Sequence, residues 1–419
     1  MVYILKNAWA LLLGMMLLML GNGLQGTLLG IRGAAEGFSP TTMSYVMSGY
    51  FLGFLGGSYM APELIRRVGH VRVFAALGSL ISAAFILYAA LPNPIVWTLM
   101  RVIVGFCFAG VYVVAESWLN DAATNETRGQ ALSAYVIVQM VGIVAAQVLL
   151  NFADVNGYTL FVLMSVLVSL SFLPILLSST AAPIFRATKR MTLKELFIIS
   201  PLGCVGIFLL GGIFAALFGM AAVYGTEVGM SVRELSIFIG LIYFGGMIWQ
   251  YPIGWISDKM DRRQLIMILT AFGGVTVLFG TLFADSQIVL YALAFVVGGV
   301  ANPLYSLLIA YTNDYLEPDD MASASGGLIF INGVGAIGMP IVVGWSMTQF
   351  GPNSFFVILA ILMSMIAVYA AYRTTKRAPT PVDETSAYAT VLPQASPIAV
   401  EVAQEVAIEM ASEDEDAPE

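Results

Sequence analysis

Gly254-Trp255-Ile256-Ser257-Asp258-Lys259-Met260-Asp261-Arg262-Arg263 holds five charged side chains in ten residues. An apolar run over 234–256 precedes it and another over 264–284 follows. Each run is long enough for a membrane-spanning helix, which takes about 20 mostly apolar residues. The charged decapeptide is then a polar connection at the bilayer surface, and the same alternation extends in both directions. Upstream runs fall at 7–30, 41–62, 73–91, 95–118, 129–152, 157–179 and 197–222, and downstream runs at 287–312, 322–348 and 353–373. That makes twelve in all. A helix buried in a soluble core explains one such run, not twelve in succession. The first run follows only Lys6 and is longer than a signal-peptide core, so it reads as a retained helix.

Composition points the same way. Of 419 residues, 59% are hydrophobic and 11% charged, with mean hydropathy +0.87. Soluble domains sit near 45–50% apolar and about 25% charged, so the excess has to face lipid. A soluble enzyme, a nucleic-acid binder and a disordered protein are excluded. The net charge of −8 belongs to the end of the chain, because ten of the 26 acids lie between Asp383 and Glu419 while every base lies at or before Arg377. Residues 378–419, rich in Ala, Pro and acid, are expected to form a disordered cytoplasmic tail. Cys107 and Cys204 sit inside apolar runs, and His70 is the lone histidine. Neither a disulfide framework nor a metal or Ser-His site is expected. With no Walker loop, an ATP-driven pump is not expected either. The sequence predicts no enzymatic activity and no cofactor.

Basic residues set the orientation, since Lys and Arg accumulate in cytoplasmic loops. With the N-terminus inside, fifteen of the eighteen fall on the cytoplasmic side, Arg32 and Arg233 on the other, and Arg101 within a span. Both termini are expected in the cytoplasm of a multi-pass protein of the inner (plasma) membrane. The longest interior connection, Thr180 to Leu196, divides the body into six spans and six. The expected organisation is an N-terminal half at 1–180, a basic linker at 181–196, a C-terminal half at 197–377 and the tail. Gly57 to Arg72 follows the second span as Gly254 to Arg263 follows the eighth, about 197 residues later. Internal repeats of this kind mark transporter architectures with a midplane site.

At this point the chain resembles the major facilitator superfamily over 1–377. The segment Gly254 to Arg263 is similar to the family's loop signature, Gly-x-x-x-Asp-Arg/Lys-x-Gly-Arg-Arg/Lys, with Asp261 in place of the last Gly. The first-half loop keeps Gly57, Arg66, Arg67, Gly69 and Arg72 but lacks the Asp, with Pro62 and Glu63 nearby. Arg101-Val102-Ile103-Val104-Gly105 resembles an Arg-x-x-x-Gly signature linked to proton-coupled members. Val114-Ala115-Glu116-Ser117, Arg128-Gly129 and Gln250-Tyr251-Pro252 look like the YcaD-type branch. The resemblance implies an all-helical fold of twelve transmembrane helices in two pseudo-symmetric halves. It implies a secondary transporter that works by alternating access, with a small-molecule solute and protons as partners beside the lipid bilayer. A monomer is expected. The alternative is a membrane receptor on the same fold, its acidic tail engaging a partner.

Charged residues inside a span cost about 2.5–3.5 kcal/mol on insertion scales, which singles out Arg101. It either snorkels to the external interface or supplies a fixed positive charge to the cavity wall. The loop residues Gly254, Asp258, Arg262, Arg263, Arg66, Arg67 and Gly69 are candidates for a cytoplasmic gate, joined by Glu116 with Arg128 in an interdomain charge network. Otherwise these are ordinary interfacial charges. Uncharged polar candidates for the cavity are Asn22, Gln25, Tyr112, Tyr135, Gln139, Tyr243, Gln250, Asn302, Tyr305 and Asn332. Placing Asn22, Gln25, Tyr112, Asn302 and Tyr305 at the wall follows from the resemblance, and interhelical hydrogen bonding is the alternative for each. Gly49, Gly53 and Gly57 form an i, i+4 stripe for close helix contact.

Overall fold

The computed structural model describes residues 2–123, 125–177, 191–378, 380–381, 385–386, 388–396 and 398–406, and all regular structure among them is helical. In chain order the helices are α1 Val2–Ala35, α2 Pro40–Val68, α3 His70–Ala90, α4 Pro94–Ala122, α5 Asn125–Leu149, α6 Thr159–Ser171, α7 Leu173–Leu176 and α8 Leu193–Ile199. There follow α9 Pro201–Ala215, α10 Ala221–Glu227, α11 Val232–Ser257, α12 Arg262–Gly280, α13 Gln287–Asn313, α14 Pro318–Phe350 and α15 Ser354–Thr374. A π-helical turn, Ala216–Met220, joins α9 to α10. Most of the linker expected at 181–196 lies outside the described residues.

Start signals are written locally. Ser39 caps α2 by accepting from the Thr42 amide, Asn93 caps α4, and Ser231 with Glu234 forms a capping box on α11. Pro40, Pro94 and Pro201 sit in first turns, where a missing N–H costs nothing. Among the described residues, eleven helices are long and apolar enough to cross a membrane. Helix α2 has 29 residues, but its Gly, Ser and Tyr content leaves it short of that apolarity.

Packing repeats along the chain. Helix α2 lies on α4 as α11 lies on α13, α1 packs on α5 as α9 packs on α14, and α3 meets α6 as α12 meets α15. Small residues permit the closest crossings, because lipid supplies no hydrophobic drive between helices and dispersion has to act at short range. A Cβ on Gly53 would sit on the Val102 carbonyl, and one on Gly105 on the Tyr50 carbonyl. Gly245 and Gly298 relate to Phe295 and Ile242 in the same way.

The two sets of helices meet along α2 with α14 and α5 with α11. At the end that holds the starts of α2 and α4 the seam is tight. Thr41 Oγ1 lies 2.8 Å from Thr348 Oγ1, a Cβ on Gly344 would touch Ser44, and one on Gly30 would touch Ala222. At the other end, the chain after α15 fills the gap between the sets. This corrects the expectation of a disordered tail. The described residues from 385 to 406 pack on the bundle, with Val391, Leu392, Ala395, Ala399, Val400, Val402 and Ala403 buried and 398–406 helical. The acidic composition of 378–419 hid this apolar spacing, and residues 407–419 lie outside the described set.

Candidate functional site

Two turns into α4, Arg101 points inward rather than out to the interface. The residue is 3% exposed, its Nη2 lies 3.4 Å from Met47 Sδ, and its guanidinium stands 4.7 Å from the centroid of the Tyr50 ring. Its Nε is buried without a hydrogen-bond partner, and no carboxylate pairs with it among the described residues. Snorkelling is therefore not what this side chain does. The crossing enforced by Gly53 and Gly105 places α4 hard against α2 and so brings Arg101 to Tyr50.

A cavity of about 150 Å³ opens between the two sets of helices, and Arg101 is on its wall. One side carries Tyr50, Phe54 and Tyr112, with Tyr50 and Phe54 stacked at 6.1 Å. The other carries Phe214, Phe218 and Tyr243, stacked in series at 5.6 and 5.0 Å. The π turn begins directly after α9, between Phe214 and Phe218, a local distortion common at functional sites. Amides complete the lining. Gln25 donates to Asn22 at 3.0 Å, Asn22 donates to the Tyr112 hydroxyl at 3.3 Å, and Gln25 Oε1 is left without a partner. Asn332 lines the opposite wall while donating to the Ile207 carbonyl at 3.2 Å. Among the described residues no Asp or Glu lines this cavity.

Of the residues expected at the site, Arg101, Asn22, Gln25, Tyr112, Tyr243 and Asn332 come together there. The others do not line it. Tyr135 donates to Glu116 at 3.0 Å, Gln139 is buried in α5, and Asn302 bonds back to its own helix at Gly298. Tyr305 packs edge-on against Phe214, and Gln250 donates to Ser306 and Tyr388. Sequence reasoning missed Tyr50, Phe54, Phe214 and Phe218, since aromatics in an apolar helix carry no mark of which way they face. It also missed Pro393 and Gln394, which line the cavity from the chain after α15.

The expected interdomain charge network resolves into local groups. Glu63 pairs with Arg66 at 2.8 Å and Arg67 at 2.6 Å, and these arginine side chains are 68% and 71% exposed. The two arginines hold the Glu63 carboxyl below its ordinary range, Arg67 first. Pairs so exposed are screened by solvent and cannot serve as a latch. Gly69, at φ +85°, makes the turn into α3. Arg262 reaches Asp258 at 3.1 Å and the buried Asp314 at 2.5 Å, while Arg263 pairs with Asp261 at 2.8 Å. Burial pushes the Asp314 carboxyl up to about 6 although Arg262 and Ser386 pull it down, so desolvation outweighs the pairing. Gly254 packs against the Tyr388 ring. Glu116 and Arg128 line one small cleft, yet the ion pair of Arg128 is with Glu405 at 2.5 Å. Glu116 instead accepts from Tyr135 and from the Ser396 amide at 2.8 Å.

A family model described as Major Facilitator Superfamily matches residues 11–260 and again 202–403. Among curated relatives, the MFS-type transporter YcaD of Escherichia fergusonii is 24% identical over 378 residues, 89% of this chain and 97% of its own. YcaD of Salmonella typhi is 25% identical over 376 residues with the same coverage. Among solved structures, an alanine mutant of the nucleoside transporter NupG superposes with a TM-score of 0.76 at 15% identity, covering 87% of this chain and 99% of that one. A bacterial homologue of the human lysosomal transporter Spinster, inward-facing and unoccupied, gives a TM-score of 0.65 at 14% identity, over 97% and 98%. At such identities the superpositions speak for the fold alone.

Proposed function

Because this chain belongs to the major facilitator superfamily, we propose that it is a secondary transporter of a small polar or anionic organic solute across the cytoplasmic membrane. Twelve spanning helices, α2 among them, form two six-helix halves, 1–180 and 197–377, that rock about the site between them, with both termini in the cytoplasm. The observation that carries this reading is the unpaired Arg101 on the wall of a cavity between the halves. One cation and no acid among the described residues of the wall select a monoanion over a cation or a zwitterion, since a second charge would be desolvated without a partner. The volume is on the scale of a cavity that holds one benzene ring, ~150 Å³. The facing aromatic stacks suit a flat, unsaturated body. Proton cotransport with a monoanion moves no net charge. The loaded carrier then avoids the ~2.3 kcal/mol per 100 mV that each uncompensated charge would meet.

The test is a solute pulse to proteoliposomes with a pH dye outside and no imposed gradient. A carried monoanion is expected to alkalinise the exterior if it moves with protons and to acidify it if it exchanges for them, while cations and zwitterions stay silent. Silence across small monocarboxylates, with radiolabelled uptake also absent from folded protein, would sink the transporter reading and favour the receptor.

Alternating access also requires the seam at Thr41 and Thr348 to open. A Thr41→Cys/Thr348→Cys pair in a background with Cys107 and Cys204 replaced is expected to cross-link readily on oxidation, because the two hydroxyls lie 2.8 Å apart. Cross-linking should reduce flux at least tenfold, and reduction should restore it. Unchanged flux after complete cross-linking would contradict opening at this end.

A further inference from the structure

The chain after α15 does more than reach the bundle surface. It runs between the two sets of helices at the end carrying the Gly254–Arg263 loop, bonded to both. On the C-terminal set, the Ser386 amide and hydroxyl donate to Asp314 at 3.0 and 2.9 Å, and the Ser386 carbonyl accepts from Arg262. The Tyr388 amide donates to Asp258 at 3.1 Å. Val391 and Ser306 bond reciprocally, amide to hydroxyl at 3.0 Å and hydroxyl to carbonyl at 3.1 Å. On the N-terminal set, the Ser396 amide donates to Glu116, Glu405 pairs with Arg128, and Val406 lies on Gly129. Between these anchors Pro393 and Gln394 form part of the cavity wall.

We propose that the described residues 386, 388–396 and 398–406 are a built-in plug, a strap of this chain seated in the cytoplasmic mouth between the halves and closing the route from the cavity to that side. The strap accounts for features that the transport cycle leaves idle. Asp258 and Arg262 of the loop signature bond the strap and Asp314 rather than the other half, and Glu116 spends one carboxylate oxygen on a backbone amide of the strap. A carboxylate buried at 3% exposure with two donors aimed at it is a built receptor for that amide. The strap's buried apolar residues fall at 399, 400, 402 and 403, one face of a helix, so it docks by packing as well as by bonds. Occupying the gap, it keeps the halves apart at this end. The mouth can neither pass solute nor close until the strap leaves.

The test reads access to the cavity and needs no knowledge of the solute. It uses full-length protein without Cys107 and Cys204, carrying Ser58→Cys on the cavity wall. Everted vesicles expose the cytoplasmic face to 2-sulfonatoethyl methanethiosulfonate, a membrane-impermeant anion of the sign Arg101 attracts. Labelling is expected to be slow in the full chain and at least tenfold faster in a chain ending at Arg377. Ser396→Pro, which removes the amide offered to Glu116, should accelerate it severalfold in the full chain. Glu405→Arg should do the same, and Arg128→Glu should restore slow labelling. If the truncated chain fails to fold, the point variants decide. Equal rates in the full chain and the variants, fast or slow, would overturn the plug. Because labelling does not depend on flux, failure of the transport reading would leave this result standing.

Discussion

Arg101→Met is expected to raise the unfolding temperature of the solubilised protein while weakening anion binding by roughly 10–100-fold. The two effects share one cause. Hydrogen bonds to a charged group contribute about 1.5–3 kcal/mol, and each 1.4 kcal/mol is tenfold in affinity. Without an anion the guanidinium contacts, among the described residues, a thioether and the Tyr50 ring, and its Nε is unpartnered. Replacing an uncompensated buried charge by an apolar side chain of similar length should stabilise the fold, on the order of 1–3 kcal/mol. Arg101→Lys keeps the charge but loses the planar fork and should fall between the two in binding. A structural arginine predicts the reverse, a less stable Met variant and an unaffected Lys variant. Thermal unfolding with binding of a carried solute separates the cases, and a destabilised Met variant with intact binding would refute the assignment.

The helices and their connections were legible because lipid leaves little choice: a span has to be mostly apolar, and charges collect where it ends. Arg101 was legible for the same reason, as a charge where charges are expensive. What lay beyond reading was direction. In a soluble helix the polar face marks the outside, but here lipid and bundle core are equally apolar, so periodicity no longer separates them. Tyr50, Phe54, Phe214 and Phe218 face the cavity with nothing in their spacing to announce it. Asn302 and Gln250 announce polarity but spend it on Gly298, Ser306 and Tyr388. The strap was misread for a compositional reason. Ten acids dominate the average over 378–419, while Val391-Leu392 and Ile398 to Ala403 are apolar enough to pack.

The charge pairs now have a different meaning. An interdomain lock needs partners from opposite halves, yet Glu63, Asp258 and Asp261 find their arginines within a few residues along the chain. The two sets touch along a small-residue seam at one end, and at the other the strap bonds to both while standing between them. Local pairs hold the loops in shape and offer the strap its anchors.

Gly53→Val is expected to be among the most damaging single substitutions in the molecule, and Gly240→Ala among the mildest. Both glycines lie inside helices, where Gly→Ala alone favours the helix by about 1 kcal/mol. The surroundings decide the sign. A Cβ on Gly240 meets nothing within 4 Å, so the propensity gain stands unopposed. On Gly53 it would land on the Val102 carbonyl and crowd the Phe106 amide, both backbone of α4 and unable to rotate away. Relief requires α2 and α4 to part, and overpacking of that kind costs about 1–3 kcal/mol, occasionally more. Tyr50 and Arg101 flank the same crossing, so parting the helices also pulls the ring from the cation that it covers at 4.7 Å. Gly53→Val should therefore lose folded yield and, in whatever protein remains, solute affinity. Gly245→Val, at the matching crossing of α11 with α13, should cost comparable stability but spare Arg101, since its obstacle is the Phe295 carbonyl. Size-exclusion profiles and melting temperatures of the three variants, with binding where protein survives, test the scheme. Equal tolerance of Gly53→Val and Gly240→Ala would mean that the α2–α4 crossing is looser than these contacts require.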